Sequence, residues 1–414
     1  MRFTLSLEQQ MIRDAARDFL AVRSDSAAVR RVVDAVAGAA RDGHDTALWR
    51  EMAGELGWCG IALPEPAGGA GLGAVELALL MEQMGQRLAC VPYWSAICLA
   101  APALAGSLAP EAAAPWLARL AQGEARAALA LPAWMAPCAH GLLDADALSV
   151  TAAVAGDGFV LDGQLAQVFD AAGADWLLVP ARLCGDAAGQ PALFLLQTAA
   201  LAGQPGFGLR RLDVLDRTRP LADLVFDGLR VDANACLAQG AGVAAGVGAA
   251  VWHGSLMLAA EQLGGAQQCL DLTVAYAAER IQFGRPIAAF QAVKHRCAQM
   301  MVAVEAARSA VHGAARAWQA GVAGGAAGGA AGGAMDTARL DVAAARLAAG
   351  DAFAFCAQEA IQLHGGVGFT WEYDPQLYFK RAQAAGGWLG GSAAALACIA
   401  DGLPAACADS ALQG

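Results

Sequence analysis

The sequence predicts an α+β protein of several domains: a helical N-terminal domain, a middle β-domain and a helical C-terminal domain. Apolar residues recur at the helical period in the first and last parts of the chain, and they alternate in the middle part. The chain has 414 residues, which is long enough for two or three packed domains. We place these domains at residues 1–125, 126–235 and 236–414.

Composition favours packed helices over membrane spans. The hydrophobic fraction of 57% and the mean hydropathy of +0.43 are raised by alanine, which is a strong helix former. The uncharged stretch 235–260 is built mainly from Ala and Gly and contains Gln239 and His253, so it predicts a buried helix. The N-terminus lacks the continuous apolar run of a signal peptide, and we expect a cytoplasmic protein without a membrane segment.

Charge and cysteine spacing exclude several other classes of protein. The net charge of -11 and the pI near 5.0 give no general basic field for nucleic acid. The 11 cysteines contain no CxxC pair, and the six histidines show no HExxH spacing. We therefore expect reduced thiols and neither a disulfide framework nor a metal site.

Helix signals dominate the N-terminal part. Leu48, Met52 and Leu56 follow the helical spacing after a predicted N-cap at Asp45, and Gly57 predicts the stop. Residues 74–86 predict a second helix, and the Gly- and Pro-rich segment 63–73 predicts the loop between the two.

The middle part shows strand signals instead. The alternation over residues 148–154 and its resumption at 159–161, across a Gly-Asp-Gly turn, predict a β-hairpin. Further strands are predicted at 176–179, 193–196 and 224–226.

Long amphipathic helices are predicted after residue 235, with a break at 283–286. The Gly/Ala-rich repeat at 322–334 is of low complexity, and we predict a flexible loop between two helices of a bundle there.

Two segments of the C-terminal part carry a resemblance to a known family. They are RIQFGRPI at 280–287, with Phe290 and Gln291 beyond it, and QLHGGVGFTWE at 362–372. Together with weaker matches along the whole chain, they resemble the acyl-CoA dehydrogenases. The resemblance implies a middle β-barrel or sandwich, a C-terminal four-helix bundle and a role in fatty acid metabolism.

The resemblance also implies a set of FAD-binding residues that serve the flavin of an adjoining subunit, and hence a dimer or tetramer. An arginine at a helix end suits a pyrophosphate, because its guanidinium offers two donors in a fixed fork. Two consecutive glycines let backbone amides approach a ligand closely. Taken singly, Arg280 could also be a surface residue beside Glu279, and the two glycines could be a helix C-cap. The implied residues are Arg280, Phe283, Gln291, Gln362, Leu363, His364, Gly365 and Gly366.

The sequence departs from the family at the residues that carry the chemistry. The family reaction removes an α-proton and a β-hydride from an acyl-CoA, which needs a carboxylate base and a flavin. The two positions that usually hold the glutamate base fall on Leu389 and Gly254. The positions of the residues that contact the flavin ring fall on Gln167 and Phe169.

Nearby titratable residues do not readily replace the missing base. Glu261 lies two helical turns beyond Gly254, about 10 Å away at the helical rise, so we expect a paired or solvated glutamate. His253 is expected to be a packed histidine. No catalytic residue is therefore predicted.

Three hypotheses remain from the sequence. The first is an FAD-dependent acyl-CoA dehydrogenase with electron-transferring flavoprotein as its acceptor and either an unconventional base or a base that a gap in the alignment hides. The second is a catalytically silent subunit that completes the FAD site of a related, active dehydrogenase in a mixed tetramer. The third is a nicotinamide dehydrogenase, in which the glycines at 240 and 242 would form a G-x-G-x-x-A fingerprint and Glu261 would bind a ribose.

Overall fold

A computed structural model describes residues 4–37, 43–185, 189–326 and 331–402. Helices occupy both ends of the chain and strands occupy its middle, so the predicted order of helical, β and helical parts is confirmed. The helices of the N-terminal part are α1 (Leu7–Arg23), α2 (Ser26–Ala37), α3 (Thr46–Arg50), α4 (Ala74–Gln86), α5 (Ala101–Ser107) and α6 (Pro110–Ala121).

The predicted helix starts are visible at α3 and α4. The carboxylate of Asp45 accepts hydrogen bonds from the backbone N–H groups of Ala47 and Leu48, as an N-cap does. The chain continues as a π-helical turn, Glu51–Glu55, and Gly57 then adopts a left-handed conformation with φ 63°. The glycine stop was predicted, whereas the π-turn was not, because it leaves no distinctive sequence pattern.

The middle part forms one mixed sheet. Its strands are β1 (Ala127–Leu129), β2 (Val150–Ala155), β3 (Gly158–Phe169), β4 (Trp176–Leu183), β5 (Pro191–Gln197), β6 (Phe207–Arg211), β7 (Leu221–Asp232) and β8 (Cys236–Gln239). A one-turn helix, α7 (Thr198–Leu201), follows β5. The strand order is β6-β7-β3-β2-β4-β5-β8, and β1 pairs parallel with β4. The antiparallel pair β2 and β3 is the predicted hairpin.

Strand alternation divides the interior into two cores. On β4, Trp176 and Leu178 face the helices, whereas Leu177 and Val179 face the interior of the β-domain. Successive side chains of a strand point to opposite faces, so both faces of this strand are buried. The sheet is thereby fixed against the helical parts.

Further α-helices and a small hairpin make up the described C-terminal part. The elements are α8 (Ala241–Glu279), β9 (Ile281–Gln282), β10 (Arg285–Pro286), α9 (Gln291–Ala326), α10 (Ala331–His364), α11 (Pro375–Ala385) and α12 (Gly391–Gly402). The short strands β9 and β10 form the break that was predicted between the first two long helices.

The prediction of a loop at 322–334 is wrong for those of its residues that the structure describes. Residues 322–326 continue α9 and residues 331–334 belong to α10, while residues 327–330 lie outside the described residues. Alanine favours the helix strongly enough to offset the cost of the intervening glycines. The two helices also pack together close to their ends, where the Sδ of Met335 lies against Gly321.

Helix α8 is long and apolar enough to cross a bilayer, but its most apolar window is 78% buried inside the protein. The predicted buried helix is therefore confirmed. The glycine fingerprint at its start has no βαβ unit around it in the described chain, because β8 pairs antiparallel with β5. This arrangement excludes the nicotinamide-binding hypothesis.

The crossing of α4 and α8 depends on glycines. A Cβ added to Gly264 would overlap the carbonyl oxygen of Glu82, and one added to Gly85 would overlap that of Glu261. Two helix backbones in such close contact leave no room for a side chain.

We therefore expect Gly264→Ala to lower the free energy of unfolding by about 1–3 kcal/mol, through overpacking. Gly333→Ala is the matched control, because this glycine lies in α10 with open space around its Cβ position. A urea titration of both variants measures the effect. Equal stability of the two would contradict the close helix crossing.

Candidate functional site

A strained hairpin carries the first predicted FAD segment. Arg280 ends α8, and its carbonyl oxygen accepts a hydrogen bond from the backbone N–H of Ile287 at 2.8 Å. Phe283 and Gly284 form the two-residue turn with φ values of 55° and 76°, the positive values that a type I′ turn requires. The Phe283 ring is 91% exposed. A left-handed phenylalanine with an exposed ring is the kind of strain found at binding sites.

The second predicted segment lies at the end of α10. The helix ends at His364, and Gly365 follows with φ 66°, so this glycine does act as a C-cap. Gly366 is exposed, with open space around its Cβ position. Leu363 is half-buried and helps to anchor the segment against the core.

Tyr276 brings the two segments together. Its ring stacks on His364 at 4.2 Å between centroids, and its hydroxyl donates to the carbonyl oxygen of the same residue at 3.3 Å. Burial lowers the pKa of His364, although the hydrogen bond to the carbonyl oxygen of Ala360 opposes this, so the ring is neutral near pH 7. Tyr276 is one helical turn before Arg280, so both segments lie at one end of the helical bundle.

Polar side chains at this end have no partner among the described residues. Arg280, Gln291 and Gln362 are exposed, and none of their side chains makes a hydrogen bond or ion pair within the part of the chain that the structure describes. A guanidinium and two amides are thus left free to meet a ligand. We define Arg280, Phe283, Gln291 and the segment 362–366 as the lending surface.

Leu389, at the first of the two base positions, is buried and held rigidly. It adopts a left-handed conformation with φ 49°, and its backbone N–H donates to the carbonyl oxygen of Ala133 at 2.7 Å. The cavity beside it has a volume of about 10 Å³. None of its lining residues is a carboxylate; they are Pro137, Trp252, Ser255, Ala343, Arg346, Leu389, Gly391, Ala394 and Ala395.

Gly254, at the second base position, is also closed off. A Cβ there would overlap the Cδ2 of Leu99, and its carbonyl oxygen accepts a hydrogen bond from the indole N–H of Trp94 at 2.9 Å. The neighbouring His253 is packed, as predicted: its Nδ1 lies 2.9 Å from the carbonyl oxygen of Cys98. Burial lowers the pKa of His253.

An aromatic cluster fills the space between these two positions. The Phe169 ring meets Trp94 edge-to-face at 4.8 Å and Trp388 at 5.1 Å, and the two indoles stack at 6.5 Å. All three residues are buried. Each such pair contributes about 0.5–1.5 kcal/mol beyond area burial. Phe169 therefore fills the interior at a position to which the resemblance assigns a flavin contact.

A buried ionic network lies against the aromatic cluster. The Glu261 carboxylate binds the guanidinium of Arg219 at 2.9 and 3.1 Å and that of Arg381 on its other side. Arg381 also donates to Asp216 at 2.6 Å and to Thr218 at 2.5 Å. The Arg219 guanidinium carbon lies 4.9 Å from the Trp94 ring and 5.3 Å from the Trp388 ring. Glu261 is thus a paired structural residue, as predicted.

Asp170 fixes the end of the strand that carries Phe169. Its carboxylate accepts a hydrogen bond from Ser95 at 2.6 Å and lies 2.8 Å from Nε2 of His44. Burial raises the pKa of Asp170, but the hydrogen bond and charge of His44, with the charge of Arg219, outweigh it and lower the pKa overall. The N-terminal helices therefore hold the aromatic cluster in place.

A shallow groove remains outside the cluster. It has a volume of about 300 Å³, and its walls include Trp134, Gln167, Arg219 and Trp388. Gln167 has φ 57°, its N–H donates to Asp223, and its carbonyl oxygen accepts from Ala133. The backbone of Ala133 therefore links Gln167 directly to Leu389.

Family models match both helical parts of the chain. The N-terminal domain model of acyl-CoA dehydrogenases matches residues 6–124, and the C-terminal domain model matches residues 240–403. The chain belongs to the acyl-CoA dehydrogenase family. Members of this family bind FAD.

Individual relatives agree with this assignment over nearly the whole chain. The acyl-CoA dehydrogenase IpdE2 of Mycobacterium tuberculosis is 33% identical over 91% of this chain and 91% of its own length. The ChsE4-ChsE5 complex of Mycobacterium tuberculosis contains a chain that is 29% identical, with a TM-score of 0.78 and coverage of 97% and 98%. A chain of the Tcur3481-Tcur3483 steroid acyl-CoA dehydrogenase is 31% identical, with a TM-score of 0.76 and coverage of 99% and 100%.

The residues that the resemblance assigns to the two ends of FAD differ in their surroundings in this acyl-CoA dehydrogenase chain. The exposed side chains of Arg280, Gln291 and Gln362 offer donors that suit a pyrophosphate and an adenine. At the isoalloxazine end, Gln167 lines the groove, whereas Phe169 is buried against two tryptophans.

The buried network was not predicted from the sequence. No local pattern singles out Asp216, Arg219 or Arg381. Their partners come from distant parts of the chain, so no local spacing shows the pairing. The weak signal was the presence of charged residues within otherwise apolar segments.

We expect Glu261→Gln to lower the free energy of unfolding by about 3–5 kcal/mol, because it leaves two buried guanidinium groups without a full counter-charge. Glu305→Gln is the control, since the Glu305 carboxylate is exposed and pairs with Arg308 at 3.2 Å. Removing a surface pair of this kind costs about 0–1 kcal/mol. Urea unfolding followed by tryptophan fluorescence compares the two, and a similar small loss in both would refute the structural role of the network.

Proposed function

We propose that this chain is the cofactor-completing subunit of an acyl-CoA dehydrogenase assembly and does not itself remove the substrate α-proton. The supporting observation is the closed interior at Leu389: a cavity of about 10 Å³ without a carboxylate in its lining. A cavity of this size has room for about one water molecule at most. An acyl chain has no room beside this residue.

The chemistry of the reaction explains why the closed site matters. FAD supplies the two-electron acceptor for the α,β-dehydrogenation of the thioester. The protein must supply a carboxylate within hydrogen-bond reach of the α-proton. Neither the Leu389 side chain nor Gly254 accepts a proton, and Glu261 is bound by two guanidinium groups.

In place of a catalytic base, the chain contributes the exposed residues of the lending surface. Arg280 would bind a pyrophosphate through its two-donor fork, and Gln291 and Gln362 would offer amide donors and acceptors nearby. The exposed Gly366 would allow a ligand to approach the backbone. The flavin that these residues hold would place its reacting end in a related, active subunit.

Two of the structural relatives support a mixed assembly. The ChsE4-ChsE5 complex and the Tcur3481-Tcur3483 enzyme are each named for two different chains. We propose a mixed dimer or tetramer of this kind in the cytoplasm. Its active subunit would take the acyl-CoA and pass electrons to electron-transferring flavoprotein.

A second candidate is an active acyl-CoA dehydrogenase with an unconventional base. The groove of about 300 Å³ between Gln167 and Trp388 favours it, because the resemblance assigns a flavin contact to the position of Gln167. The groove is lined by the carboxylate of Asp216, but this carboxylate already accepts a hydrogen bond from Arg381. We therefore place this candidate second.

We expect the purified chain to be colourless alone and to yield a yellow complex when it is coexpressed with an active family member. In that complex Arg280→Ala should lower the FAD content, because the pyrophosphate loses its charged donor. Visible spectra and FAD released per tetramer measure both effects. Arg230→Ala is the control, since it removes an exposed arginine from the β-domain. The proposal would be refuted if the isolated chain bound flavin stoichiometrically and acyl-CoA bleached that flavin.

Leu389→Glu restores a carboxylate without enlarging the cavity, so we expect it to gain no dehydrogenase activity. Leu389→Gln is the matched control, with the same shape and no charge. Anaerobic addition of a panel of acyl-CoAs to the coexpressed complex should bleach no more flavin in the Glu variant than in the Gln variant. Extra bleaching in the Glu variant would mean that the site opens, and would favour the second candidate.

A further inference from the structure

A second pocket, separate from the lending surface and from the Leu389 cavity, has a volume of about 440 Å³. Its apolar walls come from three parts of the fold: Val33 of α2, the loop residues Val214 and Leu215, and Leu377 of α11. Its polar lining consists of Asp213, Asp216, Arg217, Thr218 and Lys380. The pocket thus places one amine between apolar walls on one side and charged neighbours on the other.

Lys380 stands under an aromatic ring rather than beside a carboxylate. Its Nζ lies 4.4 Å from the centroid of the Trp371 ring, and it makes no ion pair with any described residue. Trp371 is held in turn by Arg30, which donates to its carbonyl oxygen. The ammonium is therefore placed by packing, and no anion fixes its charge.

The charged groups that face Lys380 are paired with one another. Asp213 pairs with Arg217 at 3.1 Å, and Asp216 pairs with Arg381 at 2.6 Å. Arg30 of α2 likewise pairs with Asp374 at 2.6 Å. Lys380 is the cation of this pocket whose charge no described carboxylate neutralises directly.

The protonation of Lys380 follows from this environment. Burial lowers its pKa, the positive charges of Arg217 and Arg30 lower it further, and the charge of Asp216 opposes them. A lowered pKa increases the fraction of the neutral, nucleophilic amine at neutral pH.

Lysine is rare in this chain. The sequence contains two lysines, Lys294 and Lys380, among its 27 basic residues. Lys294 lies exposed near the start of α9. The chain therefore carries its own reference amine for any reaction at Lys380.

We propose that Lys380 is an acyl-acceptor site, modified by the acyl-CoA thioesters that the family uses. The neutral Nζ attacks the thioester carbonyl carbon, the C–N bond forms and the C–S bond breaks. The thiolate leaves with the amine proton as free coenzyme A, and the acyl chain remains in the apolar pocket as a neutral amide. No electrons are exchanged. The inference is independent of whether the chain lends FAD contacts.

The experiment incubates the purified full-length chain with butyryl-CoA at neutral pH. Chymotryptic peptides quantify the amide formed at each lysine over time by mass spectrometry. We expect Lys380 to react faster than Lys294, and the ratio of the two rates to fall as the pH rises above about 10.4, where an ordinary lysine also becomes neutral. In concentrated urea the preference should disappear.

Lys380→Arg is the matched variant, because it keeps a positive charge and removes the nucleophile. It should lose the acylation at position 380 and leave the rate at Lys294 unchanged. The proposal is overturned if Lys294 reacts at least as fast as Lys380 in the folded chain. It is also overturned if the preference survives unfolding, since the pocket would then have no part in it.

Discussion

Glu261 lies in the interior with both carboxylate oxygens bound by guanidinium groups from different parts of the chain. Arg219 comes from the segment that leads into β7, and Arg381 comes from α11, while Glu261 itself lies on α8. Burying three charges is costly unless each of them is paired. The positions of the β-domain and of the C-terminal helices are therefore coupled, because any shift between them would leave a charge unpaired in the core.

The aromatic cluster depends on this ionic network. Arg219 packs near both indole rings, so the position of the guanidinium sets the position of Trp94 and Trp388, and Phe169 fits between them. Asp170, held by His44 and Ser95, fixes Phe169 from the other side. Filling the interior with rings and paired charges stabilises the chain.

The order of domains, the hairpin of β2 and β3 and the extent of α4 followed from the sequence, because periodicity and turn residues are local signals. The lending surface was recognised from its resemblance to a family, and its residues remain predictions. The Gly/Ala repeat was misread, because composition alone does not show that α9 and α10 pack together close to its ends. The partners of Glu261 were invisible because Arg219 and Arg381 are brought to it only by the tertiary fold.

The hairpin at Phe283 exposes apolar surface. Ile281 and Phe283 present apolar side chains to water from a strained turn, and Phe369 adds a further exposed ring. Surface of this kind recruits chaperones and proteases when nothing covers it. If the proposed partner subunit covers this surface, synthesis of the chain in excess of that partner would leave the apolar side chains exposed, so production of the two subunits in fixed proportion would be favoured.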